Sequence, residues 1–318
     1  MKLTKLFQAL FASSFILAHT NYIQSQEGEL VFEEIIVTAE KRDESLQSVS
    51  QAVTAITDSE IEAKNITSFV DLSSIVPGVT VAKNEGYKTI ISIRGVGNET
   101  NQNAIAAPSV AYHMDGIFIA SPFSLQTDFI DVQRIEVLRG PQGTLFGQNS
   151  TGGAINVISN KPTTDEQFSK ADITYGDYGM KQLRSSSNFP ISDNVSTKLS
   201  LSAMTREGFT ENLATGQDLD DAHNLSFRTD WMVDLNDTTS LRIFGQYSSV
   251  DRNGAAIRGI DDQSPGMRKL SQNTISKQEL TSKVAAMIFE TDLGFASLKI
   301  LASSQEDDIS VTRDNDRH

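Results

Sequence analysis

A chain of 318 residues with a net charge of -14 and no cysteine excludes several classes of protein. The acidic balance argues against a nucleic-acid partner, and the lack of cysteine removes disulfide frameworks and thiolate metal sites. The four histidines form no cluster in the sequence, so neither a metal site nor a cofactor is expected. After the N-terminus there is no apolar run of about 18 residues, which excludes a helical membrane protein.

Residues 1–25 have the pattern of a secretory signal peptide. Lys2 and Lys5 form a positive start, and an apolar core follows at 6–18. A buried N-terminal helix is the alternative interpretation. No pair of small residues marks a cleavage site between Ala18 and Gln26.

A short β-prone run follows at residues 33–42, with the sequence EEIIVTAEKR. An isolated strand cannot satisfy its own backbone groups, so this run must pair with something or stay disordered. It is either an edge strand of the domain that follows or a strand offered to another protein by β-augmentation. The residues alone leave both interpretations open.

Residues 46–162 have the length and pattern of a small α/β domain. Two helices are predicted after the first strand, one capped by Asp58 and the other by Thr67 or Ser68. Pro77 and Gly78 end the second helix. The strands are predicted at residues 53–56, 79–82, 90–94, 110–114 and 117–119.

The most informative stretch is residues 134–162, RIEVLRGPQGTLFGQNSTGGAINVISNKP. A short alternating strand leads into a glycine-rich reversal, and a second apolar strand follows at 154–158. A phosphate-binding P-loop requires a lysine directly after its last glycine and then a helix. Here Gln148 and Asn149 follow Gly147, and the next segment has a strand pattern. The stretch is therefore not a P-loop.

The string RIEVLRGPQGTLFG with the following STGGAIN resembles the plug domain of TonB-dependent outer-membrane receptors. The sequences ISIRG and VAYHMDGI resemble further plug landmarks, so the resemblance covers nearly all of residues 46–162. The landmark residues are Arg94, Gly95, Asp115, Gly116, Arg134, Glu136, Arg139, Gly140, Pro141, Gly143, Gly147, Gly152 and Gly153.

The resemblance also identifies the run at 33–42 as similar to a TonB box, with residues 26–45 as box and linker. It implies strand pairing with the C-terminal domain of TonB, which an inner-membrane complex energises. The residues expected to bind TonB are Glu33, Glu34, Ile35, Ile36, Val37, Thr38 and Ala39.

After Pro162 the sequence alternates with a period of two residues. Leu199 and Leu201 lie on one side of a predicted strand, and Ser200 lies on the other. Both a soluble β-sandwich and a membrane barrel have such alternation. The strands are predicted at residues 168–176, 180–189, 195–206, 223–235, 239–250, 279–292 and 295–306.

The links between these strands alternate in length. Short links are at residues 190–194, 236–238 and 293–294, and long links are at 207–222 and 251–278. Short periplasmic turns opposite long outer loops are typical of outer-membrane barrels. The short link at 177–179 is an exception, because it lies on the predicted outer side.

The predicted fold is mainly β, a small α/β plug followed by antiparallel barrel strands. The resemblance implies a plugged barrel of about 22 strands. About seven are predicted here, and an open sheet edge cannot lie in hydrocarbon. We therefore expect residues 163–318 to be the N-terminal part of a barrel in a fragment or truncated reading frame.

The resemblance implies a receptor that imports a scarce solute across the outer membrane of a Gram-negative bacterium. Its plug and box face the periplasm, its strands contact outer-membrane lipid, and no enzyme chemistry takes place. The expected solute is an iron chelate, a ferric siderophore, and cobalamin, glycans or other compounds are the alternatives. The candidate ligand contacts in the outward loop 95–108 are Asn98, Asn101, Gln102 and Asn103.

Two hypotheses from other classes remain. A secreted, soluble, β-rich binding protein without transport activity predicts solubility without detergent. A hydrolase with its site at His113 and Asp115 predicts that His113→Ala abolishes activity, although no nucleophile motif accompanies this pair. Neither hypothesis explains the run at residues 33–42.

Overall fold

The computed structural model describes residues 35–38, 41–42, 44–84, 88–97 and 107–314. The predicted signal peptide lies outside these ranges. Within them, no helix is long and apolar enough to cross a membrane. All described residues except Ile35 belong to one compact unit.

The first part of this unit, which we call the plug (residues 36–159), contains short strands and single helical turns. Its strands are β1 (Ile36–Val37), β2 (Glu44–Ser45), β3 (Val53–Thr57), β4 (Val79–Asn84), β5 (Lys88–Ile93), β6 (Val110–Met114), β7 (Ile117–Phe118), β8 (Val132–Arg139) and β9 (Gly153–Ser159). Its helices are α1 (Asp58–Ala63), α2 (Leu72–Ile75) and α3 (Gly143–Phe146), with 3-10 turns at Phe69–Asp71 and Ser124–Gln126.

A five-stranded sheet with the order β3-β8-β9-β6-β7 forms the centre of the plug. Strands β6 and β9 are parallel, and the other neighbours are antiparallel. Two-stranded sheets form from β1 with β2 and from β4 with β5.

The hydrophobic core of the plug lies around Phe69. The Phe69 ring contacts the Tyr112 ring at 4.6 Å and the Phe129 ring at 4.7 Å between centroids, both edge to face. Such aromatic pairs stabilise a small core beyond their buried area.

The helix caps differ in detail from those predicted. Helix α1 is capped by Thr57 and not by Asp58, because the Thr57 hydroxyl accepts from the Glu60 amide while the Glu60 carboxylate accepts from the Thr57 amide. This capping box leaves Asp58 in the first turn, where its charge favours the positive end of the helix. The predicted second helix is a 3-10 turn capped at Ser68 and then α2.

Strands β10 to β19 follow the plug. They are β10 (Phe168–Gly176), β11 (Met180–Ser192), β12 (Val195–Arg206), β13 (Thr210–Asn212), β14 (Gln217–Leu219), β15 (Ala222–Asn236), β16 (Thr239–Arg252), β17 (Lys269–Leu270), β18 (Lys277–Asp292) and β19 (Ser297–Thr312). Seven of them form an antiparallel sheet in the order β10-β11-β12-β15-β16-β18-β19, which we call the wall. The seven predicted strands are confirmed, although several extend further than the pattern indicated.

The wall has the opposite polarity from a soluble sheet. Along β12 and β15, the even-numbered residues face the plug and are mostly polar: Ser196, Ser200 and Ser202 are buried, as is Lys198. The odd-numbered side carries exposed apolar side chains, with Leu199 at 40% and Trp231 at 42% exposure. A soluble β-sandwich buries its apolar faces, whereas a membrane barrel turns them to lipid. The wall is therefore part of a membrane barrel, and the soluble-protein hypothesis is wrong.

The long links on the outer side contain strands that the sequence did not predict. Strands β14, β13 and β17 form a three-stranded sheet across both long links. The Asn212 side chain connects the two long links, because it donates to the Gln272 carbonyl at 3.0 Å and accepts from the Gln272 amide at 3.0 Å. The pattern did not predict these strands because each is only two or three residues long.

Gly153 at the start of β9 offers a test of the plug packing. A Cβ there would lie 2.3 Å from the Leu138 carbonyl oxygen and 2.8 Å from Ile93 Cδ1, and φ is +150°. We expect Gly153→Ala to lower the free energy of unfolding by about 2 kcal/mol or more, since a packed backbone must shift. Gly143→Ala is the control, because nothing lies within 4 Å of that position. Equal denaturation midpoints for the two variants would contradict the packing described.

Candidate functional site

A buried network of four charges joins the plug to the wall. Asp115 lies in the turn between β6 and β7, and its carboxylate faces Arg228 on β15 at 2.7 Å and Arg242 on β16 at 3.5 Å. Asp230 on β15 pairs with the same arginines, at 3.0 Å from Arg228 and 2.6 Å from Arg242. All four side chains are buried. Two positive and two negative charges leave the network neutral, as buried charges require.

Ser159, the last residue of β9, completes the network. Its amide and hydroxyl donate to Asp115 at 3.0 and 2.9 Å, and its hydroxyl accepts from Arg242 at 2.8 Å. Burial alone raises the pKa of Asp115, but Arg242, Arg228 and the Ser159 hydrogen bonds outweigh it and lower the pKa to about 2. The carboxylate therefore stays ionised at neutral pH.

Asp131 makes a second polar contact with the wall. Its carboxylate lies 2.8 Å from the Lys198 ammonium and accepts from the Ser200 hydroxyl at 3.1 Å, both on β12. Asn160 holds the other carboxylate oxygen at 2.9 Å. Asp131 thus pairs with the lysine on the buried face of that strand.

The 3-10 turn Ser124–Gln126 contacts the far side of the wall. The Ser124 hydroxyl donates to Asp307 on β19 at 2.9 Å. The Gln126 side-chain carbonyl accepts from Gln278 on β18 at 2.8 Å. These contacts and those of Asp115, Asp131 and Ser159 form what we call the seam. It also has an apolar part, in which Met114, Ile117 and Ile119 of the plug pack against Phe244, Val284, Ala286 and Ile288 of the wall.

The described part of the predicted TonB box is held against the plug. Strand β1 pairs with β2, Val37 is fully buried, and Ile36 is 41% exposed. The Thr38 amide donates to Glu136 on β8 at 2.7 Å, and the Thr38 hydroxyl reaches the same carboxylate at 3.1 Å. The edge-strand interpretation thus describes this conformation, in which β2 occupies one edge of β1. Glu33, Glu34 and Ala39 lie outside the described residues.

The predicted landmark residues occupy turns and one strand pair of the plug. Arg94, Gly95, Asp115, Gly116, Gly140 and Gly147 have positive φ, and Arg134, Glu136 and Arg139 lie on β8. Pro141 follows that strand, Gly143 begins α3, and Gly152 and Gly153 lead into β9. Gly152 permits close packing, since a Cβ there would lie 2.9 Å from the Val96 carbonyl oxygen. The ligand candidates Asn98, Asn101, Gln102 and Asn103 lie outside the described residues.

The hydrolase hypothesis is wrong. Asp115 is engaged by Arg228 and Arg242 and not by His113. The His113 ring lies between Phe118 and Phe146, at 5.5 and 5.1 Å between centroids. Burial, followed by the charge of Lys41, lowers the pKa of His113 to about 4, so the ring is neutral at pH 7.

Sequence reasoning missed the wall side of the ionic network. Arg228 and Asp230 stood on the polar side of a predicted strand, but Asp115, the plug partner of Arg228, lies 113 residues away in sequence. The sequence nevertheless contained a signal. Arg228 and Asp230 carry opposite charges and share a strand face with serines, and charges on a lumen-facing strand require partners.

Asp115→Asn tests the network. The substitution leaves Arg228 and Arg242 with one buried carboxylate between them, and we expect a loss of about 3 kcal/mol in the free energy of unfolding. Asp172→Asn at an exposed position of β10 is the control. The pKa of Asp115 is lowered from 3.8 to about 2. Its contribution to the free energy of unfolding is therefore complete above pH 4 and is lost as the pH falls through 2. Denaturation in detergent at pH 7 and pH 2 measures both effects, and equal stability of the two variants at pH 7 would contradict the network's role.

Comparison with known proteins agrees with this architecture. Residues 45–154 match the family model of the TonB-dependent receptor plug domain. The pesticin receptor of Yersinia pestis is 30% identical over 225 residues, which are 69% of this chain and 32% of that receptor. The vitamin B12 transporter BtuB of Vibrio vulnificus strain CMCP6 is 30% identical over 161 residues, 49% of this chain and 25% of the transporter. The chain spans about a third or less of the length of these curated relatives.

The ferric yersiniabactin uptake receptor FyuA from Yersinia pestis has a similar fold. Its structure aligns with a TM-score of 0.71 at 21% sequence identity and covers 82% of this chain and 41% of that receptor. The family consists of receptors and transporters, so the chain is not an enzyme. With a plug that faces the periplasm and a wall that turns apolar side chains outward, the chain belongs to the TonB-dependent receptors of the Gram-negative outer membrane.

Proposed function

We propose that the chain contributes the plug and seven wall strands of a receptor that imports a scarce solute, a ferric siderophore, with energy supplied through TonB. The observation that carries this proposal is the contact of Thr38 with Glu136. It fastens the box to the central sheet of the plug, so a pull on the box reaches β8 directly. A receptor driven by an external pull requires such a connection.

TonB engages the box by adding a strand to it, as in β-augmentation. Strand β1 already pairs with β2 through Ile36 opposite Ser45 and Val37 opposite Glu44. This pairing is only two residues long, so a partner that offers a longer strand replaces it readily. The C-terminal domain of TonB, energised from the inner membrane, is that partner.

Displacement of the plug opens a path along the seam. Each polar contact that breaks there exposes groups that water hydrates, so separation costs less than opening an apolar core of the same area. The network around Asp115 holds the plug at rest because its charges are fully paired in the seated position. The seam thus seals without external force and separates under it.

The proposal of an iron chelate is supported by the fold relative that takes up ferric yersiniabactin. The relatives also include a vitamin B12 transporter, so cobalamin is the second candidate solute. The proposed contacts at Asn98, Asn101, Gln102 and Asn103 provide amide groups for either solute.

A peptide of residues 33–42 tests the pairing with TonB. Ile36→Pro removes a backbone donor and fixes φ, so we expect its affinity for the C-terminal domain of TonB to fall at least about tenfold. Ile36→Val keeps the strand and is the matched control. Fluorescence anisotropy of the labelled peptides measures both affinities. Equal binding by the proline and valine peptides would refute strand pairing.

A further inference from the structure

Five aromatic and cationic residues lie at one outer corner of the wall, and we call them the rim patch: Tyr175, Tyr178, Lys181, Phe209 and Arg268. Tyr175 is near the end of β10, Lys181 is near the start of β11, and Tyr178 is in the turn between the two strands. Phe209 and Arg268 come from the two long links, directly before β13 and β17. The patch thus combines the rim of the wall with both long links.

The Tyr178 ring holds the parts of the patch together. Its centroid lies 4.9 Å from the centroid of Phe209. The guanidinium carbon of Arg268 lies 5.0 Å from the Tyr178 centroid and 5.3 Å from the Phe209 centroid. Aromatic rings attract a guanidinium group and hold its orientation, while the N–H groups in its plane stay free to donate. The patch is therefore organised before any partner binds.

Lys181 and Arg268 are the two cations of the patch, and both are exposed. The nearest acids along the chain at this corner are Asp177 and Glu207. In the described structure, neither carboxylate forms an ion pair with Lys181 or Arg268. The donors of the two cations are thus hydrated, and they can exchange water for the oxygens of a partner.

The rim patch marks the place where the lipid-facing side of the wall changes from apolar to polar. Tyr175 lies opposite Lys181, which lies opposite Thr205 on β12. Directly opposite residues share a face of a sheet, so all three lie on the outward side with Leu199. Ile173, two residues before Tyr175 on this side, is 48% exposed. An apolar residue followed by a tyrosine and a lysine indicates the boundary between hydrocarbon and headgroups.

We propose that the rim patch binds the headgroup of a phosphorylated glycolipid in the outer leaflet of the membrane. The Arg268 fork and the Lys181 ammonium match the oxygens of phosphate groups. The exposed rings of Tyr175 and Tyr178 offer apolar faces with a polar end, which suits sugar rings at a membrane surface. The patch lies on the outside of the wall, so this inference does not depend on the proposed transport function.

The composition of the patch favours a glycolipid over other anions. A free phosphate ion contacts only the two cations and gains nothing from the exposed tyrosines. An anionic phospholipid provides one phosphate and no sugar ring for Tyr175 or Tyr178. A phosphorylated sugar headgroup uses the cations and the rings together, while its acyl chains contact the apolar side chains below, such as Ile173.

The test measures binding of fluorescently labelled lipopolysaccharide with a minimal sugar core by the full chain, folded in micelles of neutral detergent. We expect Arg268→Gln and Lys181→Gln each to weaken binding at least about fivefold. Arg184→Gln and Lys170→Gln are the matched controls, because they remove the same charges from side chains that face the plug. Both controls are expected to bind like the parent chain.

The aromatic part of the patch has its own pair of variants. Tyr178→Leu removes the ring that orients Arg268, and we expect binding to weaken at least about threefold. Tyr178→Phe keeps the ring and is expected to retain binding. If a variant of the stacked residues does not fold, Lys181→Gln carries the test, since Lys181 lies outside the stack.

The choice of lipid separates a glycolipid from simpler anions. With the parent chain, we expect removal of the phosphates from the lipopolysaccharide to weaken binding at least about tenfold. Phosphatidylglycerol is expected to bind more weakly, and excess inorganic phosphate is expected not to displace the lipopolysaccharide. Three results would overturn the site: no binding by the parent chain, equal binding of phosphatidylglycerol, or an equal loss in Arg184→Gln and Lys170→Gln, which indicates diffuse charge attraction.

Discussion

The wall buries a polar face against the plug. Lipid on the other side demands apolar residues there, and the alternation of a strand then places serines, Lys198, Arg228 and Arg242 inward. Such groups cannot remain buried without partners. The plug supplies them through Asp115, Asp131 and the turn at Ser124–Gln126. The wall and the plug are thus each incomplete without the other.

This complementarity connects stability to transport. Around Asp115 the charges balance within the protein, and that region holds the plug in place. The contact of Thr38 with Glu136 connects the box to the central sheet of the plug, on which the proposed partner pulls. The inward face of the wall therefore contains the contacts that retain the plug.

Much of this architecture could be predicted from the sequence, because its signals are local. The period of two residues located all seven wall strands, and the RIEVLRGPQGTLFG string located β8 and the reversal after it. The inward partners could not be predicted, since Asp115 meets Arg228 across 113 residues and only the folded sheet brings them together. The cap at Thr57 was missed because Asp58 is an equally good cap by residue type, and side-chain geometry decides between them.

Lipid accessibility along one wall strand tests the polar inward face most directly. The chain has no cysteine, so single cysteines at Leu199, Ser200, Leu201 and Ser202 take a nitroxide label without background. In a bilayer, we expect high oxygen accessibility at Leu199 and Leu201 and low accessibility at Ser200 and Ser202, which face the plug. Equal accessibility at all four positions, or the reverse alternation, would contradict a polar wall face sealed by the plug.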